Sequence, residues 1–467
     1  MTGSSTRVIA ESRLRRLNRE PPVSGKFVLY WMQASQRTRD NHALEYAVQR
    51  ANLLDLPLVT VFGLANGYPE ATGAHYRFML EGLAETRKRL ERRKIGFRFL
   101  RESPPAAALR AGAEAALIVC DRGYLRHQVA WRKTVARRAG REVVEVETDA
   151  LVPVDEASDR AEIGARTLRP KLKRLRERYL VALRPTPLRR SGLAWGDAPD
   201  SPLPSLPERL RRQADLTDRP RGGESAARKR FDAFLARGLP RYLESGRFLD
   251  GGLTSGMSPY LHFGQVSPLT LALKVAAATG APAAAREAFL EELLVRRELA
   301  FNFVRRTDDY DEYGSLPAWA RTTLASHRRD PRPETYSPDE LEAARTADPY
   351  WNAAMIELRR TGTLHNRLRM YWGKRILEWI PDPARAYRTT LELNNRWFLD
   401  GRDPNSYANV GWIYGLHDHP WPERPVFGSV RSMTAGGLER KADPGAYVER
   451  IRSLFGDRVP REPPGIA

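Results

Sequence analysis

The sequence predicts two domains in series: an α/β domain built on a doubly wound, Rossmann-like parallel sheet, then a larger all-α domain. Three observations carry that prediction. Over residues 25–155 short apolar runs alternate with helical periodicity, as in a sheet whose crossovers are helices. From 226 to 467 nearly every segment places apolar residues at helical spacing, and none reads convincingly as a strand. Between the two, residues 156–225 dissolve into charge runs and prolines, the signature of an interdomain linker. With 467 residues the chain is long enough for both units to bury a core.

Taken in order, residues 1–24 are Arg-rich but lack the apolar run of a secretory signal, and they read as an arm packing on the first domain. FVLYW at 27–31 and PLVTVF at 57–62 are apolar runs bounded by turn residues, the mark of buried strands. Helical spacing fills 41–54 and 75–94. Strands follow at 97–100, 116–120 and 143–146, separated by helices at 105–113 and 129–139. No G-x-G-x-x-G follows the first strand, so the dinucleotide fingerprint is absent. Within the linker, 169–183 is compatible with a helix. The second domain reads as helices at 226–235, 267–278, 284–304, 339–346, 349–361, 367–379, 383–399 and 446–455, with irregular connections at 307–318 and 401–431.

Composition narrows the function. Lys and Arg total 77 against 57 Asp and Glu, a formal charge of +20, which favours polyanionic partners and nucleic acid first among them. No apolar run reaches 18 residues, so a membrane span is not expected. The single cysteine, Cys120, supports neither an internal disulfide nor a multi-cysteine metal site, and it fits a reducing, cytoplasmic setting. The eight histidines fall in no metal-ligand spacing, and there is neither a G-x-S-x-G elbow nor a P-loop. No metal site is expected.

Four stretches of the helical domain carry chemistry. TSGMSPYLHFG at 254–264 places small hydroxyls and a glycine before Pro259, which suits a capped helix start or a backbone anion site. FLEELLVRRELAFNF at 289–303 is a buried helix on which Glu292 and Arg296 stand at i, i+4. That spacing suits a surface ion pair, or a carboxylate beside a ligand cavity. LHNRLRMYWGKRILEWI at 364–380 sets Trp372 and Trp379 almost on one face, about 10.5 Å apart along a helix axis, where core packing is the ordinary explanation. LNNRWFLDGRDPNSYANVGWIYG at 393–415 is polar enough that burying it calls for a ligand.

Together and in this order, SPYLHFGQ, EELLVRREL, RMYWGKRILEW and LDGRDPNSYANVGW resemble the photolyase and cryptochrome family. YWMQASQRTRDNHALEYA near the N-terminus and the 335–351 stretch are similar to class II cyclobutane pyrimidine dimer photolyases within it. The resemblance implies a carbon–carbon lyase acting on UV-damaged DNA, nucleoid-associated if the source is prokaryotic, and a monomer. It implies FAD, active as the fully reduced anion, bound in the helical domain. An antenna pigment of deazaflavin type in the α/β domain is consistent with it, though no local motif demands one.

Residue by residue, the resemblance implies that Tyr242, Thr254, Ser255, Gly256, Met257 and Ser258 cradle the FAD phosphates and ribose. It gives Asn394 the flavin N5 edge, and it sets Asp400, Asp403 and Asn405 on the ring and adenine side. Trp372, Trp351 and Trp379 match an electron-transfer chain, with Trp351 expected between or beside the other two. Glu292 matches the carboxylate that bonds the dimer, and Trp412 an aromatic wall of its pocket. Arg247, Arg296, His419 and Arg431 match positions near the damaged strand. The chain departs from the family pattern at His419, where Arg is usual, at Ser432, where an aromatic is usual, and at Arg367, where Tyr is usual. A cryptochrome-like photoreceptor and a (6-4) photolyase are the alternatives within the family. The first is disfavoured by the charge, by Glu292 and Trp412 and by the lack of a long tail, the second by the lack of a matching histidine pair.

Overall fold

Strand β2 (Phe27–Trp31) is buried along its whole length, as a strand covered by helices on both faces must be. It lies at the centre of a six-stranded sheet of order β1-β6-β5-β2-β3-β4 in a computed structural model that describes residues 9–65, 67–198, 208, 210 and 218–456. The first eight residues of the expected arm, much of the linker between 199 and 217, and 457–467 lie outside the described residues.

β3 (Leu58–Gly63), β4 (Gly96–Leu100), β5 (Ala115–Asp121) and β6 (Val143–Val146) complete the parallel part, paired β2 with β3, β3 with β4, β2 with β5 and β5 with β6. Helices α1 (His42–Leu53), α2 (Gly73–Arg92), α3 (Pro104–Gly112) and α4 (Arg126–Arg138) make the crossovers. The arm does more than pack. β1 (Leu14–Arg16) pairs antiparallel with β6 as an edge strand. A three-residue edge strand carrying two arginines has no apolar period to read, and its charge guards the edge; Arg15 Nε lies 2.8 Å from Glu145 Oε1.

Chain order reverses between β2 and β5, and a ligand crevice would open beyond their carboxyl ends. Here side chains bridge it. The Asp121 carboxylate accepts from the Gln33 and Ser35 amides at 2.8 and 2.5 Å. Arg37, 1 % exposed, donates to Asp149 Oδ1 at 2.8 Å, to the Thr148 carbonyl at 3.0 Å and to the Gly264 carbonyl at 3.1 Å. The last of these belongs to the helical domain, so the seam between domains runs through the crevice. Phe78 of α2 extends it, packing on Tyr260 and Phe263 with ring centroids 5.1 and 5.3 Å apart.

Downstream come α5 (Val154–Ala157) and α6 (Ala165–Tyr179), the latter where the linker is helix-compatible. The helical domain holds α7 (Glu224–Ala233), α8 (Ser258–His262), α9 (Pro268–Ala277), α10 (Ala283–Leu290) and α11 (Arg297–Arg306). It continues with α12 (Ala318–Ser326), α13 (Pro338–Glu342), α14 (Pro349–Thr361), α15 (Asn366–Trp379), α16 (Pro383–Trp397), α17 (Pro404–Ile413), α18 (Ala435–Glu439) and α19 (Pro444–Phe455).

Two expectations change. The helix expected at 284–304 is interrupted by a π-helical turn, Glu291–Arg296. An i, i+5 turn rotates later residues around the axis, so Arg296 Nε sits 3.6 Å from Glu291 rather than pairing with Glu292. The connection at 401–431 also contains α17. Its polar sequence hides the helical period, but Asp403 caps it, accepting from the Asn405 and Ser406 amides at 2.7 and 3.2 Å, with Pro404 at the first position.

Candidate active site

A cavity of about 1180 Å³ opens inside the helical domain. It is larger than most single-ligand pockets, with room for a sizeable cofactor and part of a second molecule. Three sets of residues line it.

The first wall is the 3-10 segment Leu239–Arg247 and the loop leading into α8. Tyr242, Thr254, Ser255, Gly256, Met257 and Ser258 all line the cavity. Gly256 has φ +60°, where a side chain is strained, and a Cβ there would lie 2.1 Å from the Arg230 guanidinium. Arg230, an exposed side chain, donates from Nε to the Ser255 carbonyl at 3.2 Å, so a cation lies beside the loop. Because α8 has five residues, its dipole adds little; hydroxyls, backbone amides and Arg230 would do the anion binding.

The second wall is the Asp400, Asp403 and Asn405 corner at the start of α17. Burial pushes the Asp400 carboxyl up, but Arg369 and the Ser258 hydroxyl more than offset this and hold it below the usual range. Arg369 Nη2 reaches both Asp400 oxygens, at 2.9 and 3.0 Å. Asp403 is pushed up to about 6, by burial first and by the Asp400 charge second. The neighbouring carboxylates thus differ in proton affinity: Arg369 bonds Asp400 directly, whereas at Asp403 the Arg297 charge only partly offsets burial.

Glu292, Trp412 and Arg431 complete the lining. Burial raises the Glu292 pKa above its ordinary value, with Arg296 opposing. Burial and then the Glu292 charge push the Tyr242 phenol up to about 12. Arg431 lies between two indoles, its Cζ 5.8 Å from the Trp412 ring and 4.8 Å from that of Trp421. His419 continues the stack on Trp421, centroids 5.1 Å apart, and its Nδ1 lies 3.2 Å from Asp418 Oδ1.

Behind the second wall the three tryptophans form one buried file. Trp351 stands between the others, parallel to Trp372 at 6.3 Å between centroids with planes 6° apart, and edge-on to Trp379 at 5.4 Å. Trp351 Nε1 donates to the Trp372 carbonyl at 2.9 Å. Trp372 reaches the cavity side through Phe398, 5.9 Å away, over which the Arg369 guanidinium lies at 3.8 Å. All three indoles are at most 2 % exposed, so they fill the core whatever else they do.

The remaining named residues lie elsewhere. Asn394 is buried on α16 outside the lining, its amide toward Asn395 Oδ1 at 3.3 Å. Arg247, Arg296 and His419 are exposed and also outside it. Ser432 and Arg367 do line the cavity. Sequence reading missed Arg230, Arg297, Arg369, Lys374 and Trp421, which the fold brings into the lining. Arg369 and Lys374 lie within the tryptophan motif and were within reach.

Comparison with known proteins agrees over nearly the whole length. The DNA photolyase family model matches residues 28–190. The chain is 46% identical over 450 residues to the deoxyribodipyrimidine photo-lyase of Methanothermobacter thermautotrophicus, covering 96% of this chain and 100% of that one. It is 35% identical to the deoxyribodipyrimidine photo-lyase of Arabidopsis thaliana, over 91% of this chain and 89% of that one. Among solved structures, a bacterial class III photolyase from Agrobacterium tumefaciens superposes with a TM-score of 0.66 at 20% identity, over 92% of this chain and 87% of that one. The last likeness speaks to the fold.

Proposed function

The chain belongs to the DNA photolyase family, and from that premise we propose that it repairs UV-damaged DNA in light by splitting cyclobutane pyrimidine dimers, as a class II member. One observation carries the reading. A single cavity is lined by an anion cradle at 254–258, by an arginine-braced carboxylate corner at 400–405, and by Glu292, Trp412 and Arg431.

Those residues fit FAD. The cradle and Arg230 would hold its phosphates, while Asp400 and Asp403 would meet the ring and adenine side. When bound and reduced, the cofactor supplies on light absorption the one electron that opens the dimer and recovers it afterwards. An antenna pigment in the first domain would add only light capture.

The chain's own contributions are separable. Lys and Arg exceed Asp and Glu by 20, so phosphates draw the duplex in, and affinity should fall steeply with salt. Flipping the lesion out costs a few kcal/mol, least where pairing is already broken. Trp412 offers the flipped pair an apolar wall, and Arg431 fixes that wall from outside. A raised pKa keeps Glu292 protonated further up the pH scale, so it donates a hydrogen bond to the dimer as negative charge develops there. The tryptophan file serves a different task, delivering electrons when the cofactor is oxidised. No helix among the described residues is long and apolar enough to cross a membrane; the working form is a cytoplasmic monomer on DNA.

The test is an absorption spectrum of the purified protein, then illumination with defined oligonucleotides. The reading expects a flavin spectrum and light-dependent loss of the cyclobutane dimer but not of the (6-4) product. A flavin spectrum with no repair of either lesion would move the chain to the photoreceptors; a flavin-free protein would remove the reading altogether.

A further inference from the structure

Lys374 is 2 % exposed and yet lines the cavity, on α15 two residues beyond Trp372. A buried ammonium is costly unless it is paired. Among the described residues this one makes no ion pair; its hydrogen bond goes to the Ile413 carbonyl. Ile413 ends α17, where carbonyls lack intrahelical partners and the helix dipole favours a cation. Gly373 leaves room at the contact: a Cβ there would lie 2.2 Å from Ile413 Cδ1, so a side chain would displace the Ile413 side chain. The ammonium is 6.0 Å from the Trp412 ring centroid, on the residue just before Ile413.

A neutral donor would cap that carbonyl equally well and at smaller desolvation cost. The charge therefore needs a second reason, and the cavity supplies it. Resting on the dimer-splitting reading above, we propose that Lys374 is a positioning residue for repair: it ties the Trp412 wall to the helix carrying Trp372 and holds a fixed positive charge beside the electron-rich lesion. It gives up no proton in the splitting step itself.

The charged groups facing it are Asp418, which favours the ammonium, and Arg431, which opposes it, both from the segment after α17. Burial outweighs both and lowers the pKa to about 7. A lysine is charged below its pKa, so its help is present in mild acid and fades as pH rises through neutrality.

The experiment uses the full chain with its flavin reduced beforehand and a dimer oligonucleotide at saturation, and it reads dimers split per absorbed photon across pH. In wild type the yield should fall several-fold as pH rises through neutrality. Lys374→Gln keeps the donor and removes the charge, so it should bind FAD and dimer as wild type does but split several-fold fewer dimers per photon in mild acid, without that fall. Glu292 titrates in both proteins and cancels in the comparison. Lys374→Met, which loses the donor too, should in addition bind the dimer more weakly. A Lys374→Gln protein with the wild-type yield at every pH overturns the proposal, and so does a wild-type profile flat through neutrality, which needs no variant to fold. A flavin-loaded wild type that splits no dimer at any pH would instead defeat the repair reading, and this inference with it.

Discussion

The crevice at the carboxyl ends of β2 and β5 and the cavity of the helical domain are both places where a fold of this kind offers room to a ligand. They are built oppositely. In the crevice, Asp121 is spent on the Gln33 and Ser35 amides and Arg37 on Asp149, Thr148 and Gly264. In the cavity, strained and charged groups face open space, with Gly256 in a left-handed conformation before Arg230 and the Glu292 side chain exposed to it. A doubly wound sheet leads one to look for function at its switch point. Here that point is a joint between the domains, and the proposed chemistry lies among the helices.

The contrast can be broken by changing one region and watching the other. The largest effect belongs to Gly256→Val. A β-branched residue at φ +60° is strained and displaces Arg230, so flavin absorbance per mole of purified protein should fall to near zero while the fold persists by circular dichroism. Retained flavin would mean that the loop is not the phosphate cradle.

Arg37→Met tests the joint. It strands Asp149 buried and unpaired, which costs about 3–5 kcal/mol. The thermal midpoint should drop markedly, while the folded fraction keeps its flavin content. Loss of flavin at unchanged stability would make the crevice a working site after all.

Trp372→Phe should abolish most photoreduction of the oxidised protein and leave repair by the chemically reduced protein intact. Transient absorption and a repair assay check the two halves. A fall in both, with a lowered melting temperature, would return the tryptophan file to packing alone.

The smallest effect concerns protons. Because burial raises the Glu292 pKa, the donor form is populated at low pH and is lost as pH rises through that value. Repair yield should therefore fall as pH rises through that value, a fall that is absent in Glu292→Gln, a neutral donor at every pH. Identical profiles would remove Glu292 as the titrating group.

Much of this was legible because it is local. The buried strands carry unbroken apolar runs, and the motifs holding Trp372, Glu292 and Asp400 are contiguous in sequence. What escaped was either charged or non-local. β1 is two arginines and a leucine on an edge, with no period. The turn Glu291–Arg296 looks like ordinary helix until its hydrogen bonds are drawn, and so the i, i+4 pair expected of Glu292 and Arg296 is not made. α17 hides behind asparagines and glycines, although Asp403 and Pro404 announced its start. Arg230, Arg369 and Lys374 meet only because α7 and α15 converge on one cavity, and no spacing in a single stretch encodes that.

The central claim is that the cavity wall carrying Glu292 is the substrate side of a light-driven repair site. It is tested most directly by the number of dimers split per absorbed photon in flavin-reduced wild type and Glu292→Ala, with bound FAD and dimer affinity measured on the same preparations. The account predicts a clear loss of yield in Glu292→Ala, with FAD retained and affinity only mildly reduced. A Glu292→Ala protein that repairs at the wild-type yield would contradict it.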